Sequence, residues 1–202
     1  MKTPEDKSHD LPKYGAAIGS LMYAAIGTRP DIAYSVQSLC QFTNNPSPEY
    51  WTAVRHVFQY LNGTQDLGIT YKRMTKINLD GYTDADWGSN PVDQKSISDY
   101  IFLIRDGLIT WTSKKQWTVA LSSMEAEYMA ASLATWEAMW LCTLLKELGF
   151  ELEGLTTLNT DNQSAIQFAK NSGFHTSSHI DIQYHFMQEK NLQQDNYSIL
   201  HI

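Results

Sequence analysis

The chain has 202 residues, with 22 acidic and 15 basic side chains for a formal charge of −7; 43% of residues are hydrophobic and 12% aromatic. This suits one domain, or a domain with an appendage, and excludes collagen-like, coiled-coil and disordered compositions. No apolar run approaches the roughly 20 residues of a membrane span, and residues 1–10 lack the apolar core of a secretory signal, so an intracellular setting is expected, cytoplasmic or nuclear.

Cys40 and Cys142 are too few and too far apart for a disulfide framework or a Cys-x-x-Cys zinc site, and both are expected as buried thiols. The charge is uneven. Residues 1–77 carry 8 Lys/Arg against 6 Asp/Glu, net +2, and residues 78–202 carry 7 against 16, net −9. The acid of the second part is either solvated surface or a carboxylate site for hard cations.

In chain order, the first 65 or so residues predict helices. Ala17, Ile18, Leu21, Met22 and Ala25 follow the 3.6 period, and Pro30 suits the start of a helix over 31–42. Ser47-Pro48-Glu49 opens a third helix with Val54, Val57, Phe58 and Leu61 on one face. A short strand is expected at 67–71, a basic connector at Lys72, Arg73 and Lys76, and a strand at 77–84. Runs at 100–105 and 108–112, separated by Asp106-Gly107, predict a hairpin. A long helix follows, whose stripe of Leu133, Trp136, Trp140, Leu141, Leu144 and Leu148 is expected to face a sheet. A strand over 155–160, a short helix to about 171, a helix over 178–191 and a strand over 197–202 complete the chain. The order predicts an α/β fold: a mixed sheet covered by helices, preceded by a helical segment.

Three acids stand where chemistry can gather: Asp84 ending the first strand, Glu127 early in the long helix and Asp161 ending the fourth strand. Brought together, they would raise one another's pKa or bind divalent metal, and two such ions are the usual device of in-line phosphodiester cleavage. The competing reading is that they are caps and solvated surface. Ser122-x-x-Glu125 fits a capping box, which gives Glu125 a structural task and leaves Glu127 the better ligand. Asp86, two residues beyond Asp84, and Asp181 are secondary candidates, although Ser178-x-x-Asp181 makes Asp181 read first as a cap. His175, His179 and His185 lack a His-Glu-x-x-His frame and a nearby Cys, so zinc is not expected. Lys114 and Lys115, between Trp111 and Trp117, are candidates to hold a phosphate backbone, or equally a charged strand end.

Five ordered segments resemble the ribonuclease H domain of copia-type retrotransposon Pol polyproteins: Gly-Tyr-Thr-Asp-Ala-Asp-Trp-Gly (81–88), Ile-Thr-Trp-Thr-Ser-Lys-Lys-Gln (109–116), Leu-Ser-Ser-Met-Glu-Ala-Glu-Tyr-Met-Ala (121–130), Thr-Asp-Asn-Gln-Ser-Ala-Ile (160–166) and His-Ile-Asp-Ile-Gln-Tyr-His-Phe (179–186). Ile-Gly-Ser-Leu-Met-Tyr (18–23), Gly-Thr-Arg-Pro-Asp-Ile-Ala-Tyr (27–34) and Tyr-Leu-Asn-Gly-Thr (60–64) resemble the reverse-transcriptase tail preceding it. The resemblance implies a five-stranded ribonuclease H-like sheet over 74–202 after a helical segment over 1–73. It implies Mg²⁺ or Mn²⁺, two ions, with Asp84, Glu127 and Asp161 as ligands, and endonucleolytic cleavage of the RNA strand of RNA–DNA hybrids within a Pol polyprotein. The family's fourth acid is expected in an Ala-Asp helix after the last strand, so the sequence reads as truncated at its C-terminus. Asp99, Trp117, Ser178 and Gln183 depart from the family's usual Gly, Pro and basic residues. Two other readings stay open: a silent remnant that at most binds nucleic acid or protein, and a metal-free glycosidase.

Overall fold

A computed structural model describes residues 4–73, 77–90, 92–150, 152, 154 and 156–170. The chain divides into two units, Met1–Ile69 and Thr70–Ile202. The expected helix over 178–191, the strand over 197–202 and the candidate Asp181 lie outside the described residues.

The first unit is helical: α1 Pro4–Gly27, a 3₁₀ turn Pro30–Ile32 running into α2 Ala33–Cys40, and α3 Pro48–Gly63. The periodic residues Ile18, Leu21 and Ala25 are buried against Ile32, Val36, Leu39 and Val54. Tyr14 is fully buried; its hydroxyl donates to the Leu39 carbonyl at 2.9 Å and its ring meets Trp51 edge-on at 5.3 Å. The buried Arg29 donates to both Asp31 oxygens, the Thr64 carbonyl and the Thr64 hydroxyl, and lies over the Tyr60 ring. Arg29 thereby ties the start of the 3₁₀ turn to the end of α3. Phe58, expected on the packed face of α3, is exposed, and Cys40 is half-buried rather than buried.

The second unit is a mixed sheet with a long helix on it. Its described strands are β1 Leu79–Asp86, β2 Ile97–Ile104, β3 Gly107–Lys115 and β4 Thr157–Asn159, in the order β3-β2-β1-β4. β1–β2 and β2–β3 are antiparallel, and β4 runs parallel to β1. Four strands are thus seen among the described residues. The segment 67–71 forms no regular strand: Tyr71 instead donates its hydroxyl to the Leu108 carbonyl at 2.7 Å.

The hairpin is displaced by one residue from its predicted place. Ile104 pairs with Gly107, so the loop is Arg105-Asp106, with Arg105 at φ +52°. Gly107 starts β3 and serves close approach: a Cβ there would stand 2.8 Å from the Tyr71 ring.

α4 Ser123–Glu147 carries the main correction. Trp136, Trp140 and Leu148 of the expected stripe are at least half exposed, while Tyr128, Ala131, Ala134, Ala138, Leu141 and Cys142 pack on Leu79, Phe102 and Leu158. Small residues win the sheet face because Phe102 from β2 already fills the layer. Gly81 shows the same crowding, since a Cβ there would meet Phe102 at 2.4 Å and Leu158 at 2.9 Å. α5 Gln163–Lys170 follows β4. No helix among the described residues is long and apolar enough to cross a membrane.

Candidate metal centre

β1 and β4 position the first two acids. The parallel register pairs Gly81 with Leu158 and Tyr82 with Asn159, and the Asn159 side chain donates to the Gly81 carbonyl at 2.9 Å. Asp84 and Asp161 each lie two residues beyond the last of these pairs, with their carboxylates close together, just before Asn162 accepts from the Ala165 N–H at the start of α5. Both carboxylates are exposed.

α4 supplies the third. Its start is fixed by Ser122 Oγ, which accepts from the Glu125 N–H at 3.2 Å, and by Glu125, which accepts from the Leu121 N–H at 2.8 Å rather than from that of Ser122. Glu125 is therefore occupied. Glu127 is 6% exposed, and one carboxylate oxygen each from Asp84, Glu127 and Asp161 lies within 4.8 Å of the others. Burial pushes the Glu127 carboxyl up to about 7, the charges of Asp84 and Asp161 push the same way, and a hydrogen bond from the Ala85 N–H opposes them. Its Oε2 is buried and has no partner.

This donor set fits a hard divalent cation. All three groups are oxygen donors, two of them open to solvent, and the buried Glu127 Oε2 has no hydrogen-bond partner.

Asp86 is exposed at the end of β1 and outside the close trio. A fourth carboxylate stands nearby that sequence reading noted only as a departure: Asp99, directly across β2 from Asp84. Burial raises its pKa and the charges of Asp84 and Asp86 add to that. The antiparallel register of β1 and β2 was the signal that would have placed it.

The two lysines part company. Lys115 is ion-paired with Asp93 at 2.9 Å, while Lys114 is exposed and sits 5.6 Å from the centre of the Trp117 ring. Trp117 itself is 74% exposed.

No family model matches the chain. It is 43% identical over 177 residues to the retrovirus-related Pol polyprotein from transposon TNT 1-94 of Nicotiana tabacum, covering 87% of this chain and 13% of that protein. It is 37% identical over 197 residues to the Pol polyprotein from transposon RE2 of Arabidopsis thaliana, covering 97% of this chain and 13% of that one. The secreted RxLR effector protein 161 of Plasmopara viticola is 47% identical over 128 residues, 63% of this chain and 90% of the effector. Among solved structures, LC11-RNase H1 from compost superposes with a TM-score of 0.44 at 12% identity, over 62% of this chain and 84% of that one. The chain thus spans about 13% of the length of the Pol polyproteins it matches.

Proposed function

Because this chain belongs to the retrovirus-related Pol sequences of copia-type transposons, we propose that its second unit cleaves the RNA strand of RNA–DNA hybrids in a divalent-metal-dependent reaction, as part of a Pol polyprotein. The observation that carries this reading is the convergence of Asp84, Glu127 and Asp161, with a buried Glu127 oxygen left without a partner. Asp84 and Asp161 present their carboxylates to solvent, where a phosphodiester can arrive, and Glu127 closes the cluster from the helix side. Mg²⁺ or Mn²⁺ held by these three residues would supply the positive charge that activates water and stabilises a leaving oxygen. Glu127 must give up its proton to serve as a ligand, which couples metal affinity to pH near neutrality. The first unit, by the same resemblance, is the tail of the preceding polymerase, and the remainder of the polyprotein is its partner in the chain.

The test is cleavage of a labelled RNA–DNA hybrid. Hydrolysis should require Mg²⁺ or Mn²⁺, stop in EDTA, and fall by a factor of about 10²–10³ or more in Asp84→Asn, the order of loss when one electrostatic group is taken from a reaction centre. Undiminished turnover in Asp84→Asn, or turnover in EDTA, overturns the reading.

A further inference from the structure

On the side of α4 away from Glu127, a cavity of about 120 Å³ lies between the helix and the end of β3. Lys114, Gln116 and Trp117 line it from the sheet side, and Met129, Leu133 and Trp136 from α4. At 100° per residue, these three helical positions stand roughly 120–180° around the helix from Glu127. The cavity therefore does not belong to the carboxylate cluster. It opens at the same end of the sheet, however. Lys115 pairs across β2 with Ile97, which pairs with Asp86, so β3 and β1 are two strand spacings apart there, roughly 10 Å.

Its walls are unusual for a protein surface. Trp117 is 74% and Trp136 50% exposed, although indoles are mostly well buried. Lys114 is held over the Trp117 ring and, among the described residues, has no carboxylate partner, within a part of the sequence whose net charge is −9. Gln116 is buried; its Nε2 donates to Ser98 Oγ at 2.8 Å and to the Ala126 carbonyl at 3.0 Å, and its Oε1 is without a partner. The cavity thus combines two indoles with a cation that has no carboxylate partner among the described residues. Its volume is well below the roughly 300–1,000 Å³ of pockets for drug-sized ligands and suits a single ring system.

The geometry points to a site for one unpaired nucleobase, supplied by a single-stranded stretch adjoining the hybrid, with the base stacked on Trp117 or Trp136 and its phosphate beside Lys114. A paired base hides its ring faces in the stack, whereas an unpaired one offers a face to an indole. This deepens the hybrid-cleavage reading and rests on it for the presence of a nucleic-acid strand at this end of the sheet.

The experiment compares equilibrium binding of a blunt hybrid with that of the same hybrid carrying a short single-stranded extension, on either strand and at either end. It uses the 202-residue chain as Asp84→Asn, so that the hybrid stays intact, with the unsubstituted chain assayed for cleavage in parallel. At least one extension should strengthen binding roughly tenfold, the order of one base–aromatic stack. That gain should vanish in at least one of Trp117→Ala and Trp136→Ala, persist in the corresponding Phe variant, and become less salt-dependent by about one counterion in Lys114→Ala. Trp117 is exposed enough that its removal leaves the core alone. Equal binding of blunt and extended hybrids, or a gain retained in both alanine variants, overturns the base site and leaves the indoles to a protein contact. Because cleavage is read separately, an extension effect that persists while Asp84→Asn cleaves normally would sink the catalytic reading and keep the base site.

Discussion

Glu125 and Glu127 stand two residues apart on one helix and have different tasks, because one carboxylate is engaged by a backbone N–H and the other is buried among acids. Glu125→Gln keeps an acceptor for the Leu121 N–H and should change cleavage little, whereas Glu127→Gln should abolish metal-dependent cleavage with the fold intact; a reversed pair of phenotypes in the hybrid assay would contradict the assignment. Glu127 also makes a stability prediction. Its folded pKa of about 7 lies above the ordinary 4.5, so between those values the folded chain holds a proton that the unfolded chain has released. The stabilisation from this group is complete below pH 4.5 and is lost as pH rises through about 7. The size is on the order of 3 kcal/mol at most, from about 1.4 kcal/mol per pH unit. Thermal melts in EDTA should therefore show stability falling between pH 4.5 and 7. Glu127→Gln should flatten that slope and raise the melting temperature at pH 7.5, and added Mg²⁺ should recover stability only in the unsubstituted chain.

At the level of elements, the sheet face of α4 is set by space rather than by hydrophobicity. Periodicity located the helix correctly, yet the tryptophans and leucines outweighed the alanines in a reading of one-dimensional apolar character. Only the three-dimensional fact that Phe102 and Leu158 occupy the layer selects Ala131, Ala134 and Ala138. For the same reason Asp106-Gly107 announced a hairpin but misplaced it, since Gly107 answers to Tyr71, a residue remote in sequence. What was legible depended on local pattern: the helices of the first unit, the hairpin, the capping serine of α4 and the choice of the three acids, although Asp84, expected to end its strand, lies within β1, two residues before its end. The face that α4 buries was not. Two glycines test the distinction. Gly81→Ala should destabilise by roughly 1–3 kcal/mol, because its Cβ would overlap the Phe102 ring. Gly19→Ala, inside α1 with nothing within 4 Å of the new Cβ, should stabilise by about 0.5–1 kcal/mol. Denaturant melts of the two variants read both signs, and equal effects would show that crowding at Gly81 is not what places α4.

Across the whole chain, charge runs against the proposed substrate: residues 78–202 carry net −9, and a hybrid presents a dense row of phosphates. Of the lysines flagged by sequence, Lys115 is neutralised by Asp93, so Lys114 is left with little help among the described residues. Affinity must then come from cations bridging the carboxylate cluster and the phosphates, with any base stacking as a local supplement. The consequence is a crossover. In EDTA, Asp84→Asn removes one negative charge from the approach to the cluster and should bind hybrid a few-fold more tightly than the unsubstituted chain. In Mg²⁺ the same substitution removes a ligand, so the order should reverse, with the unsubstituted chain gaining at least tenfold from the metal and the variant gaining much less. Anisotropy titrations at fixed ionic strength, with a labelled hybrid whose RNA strand is 2′-O-methylated and so resists cleavage, measure all four affinities. The same ranking of the two proteins with and without Mg²⁺ would mean that the acids repel or ignore the hybrid in both conditions, and that the cluster is surface charge rather than the place where the strand is held.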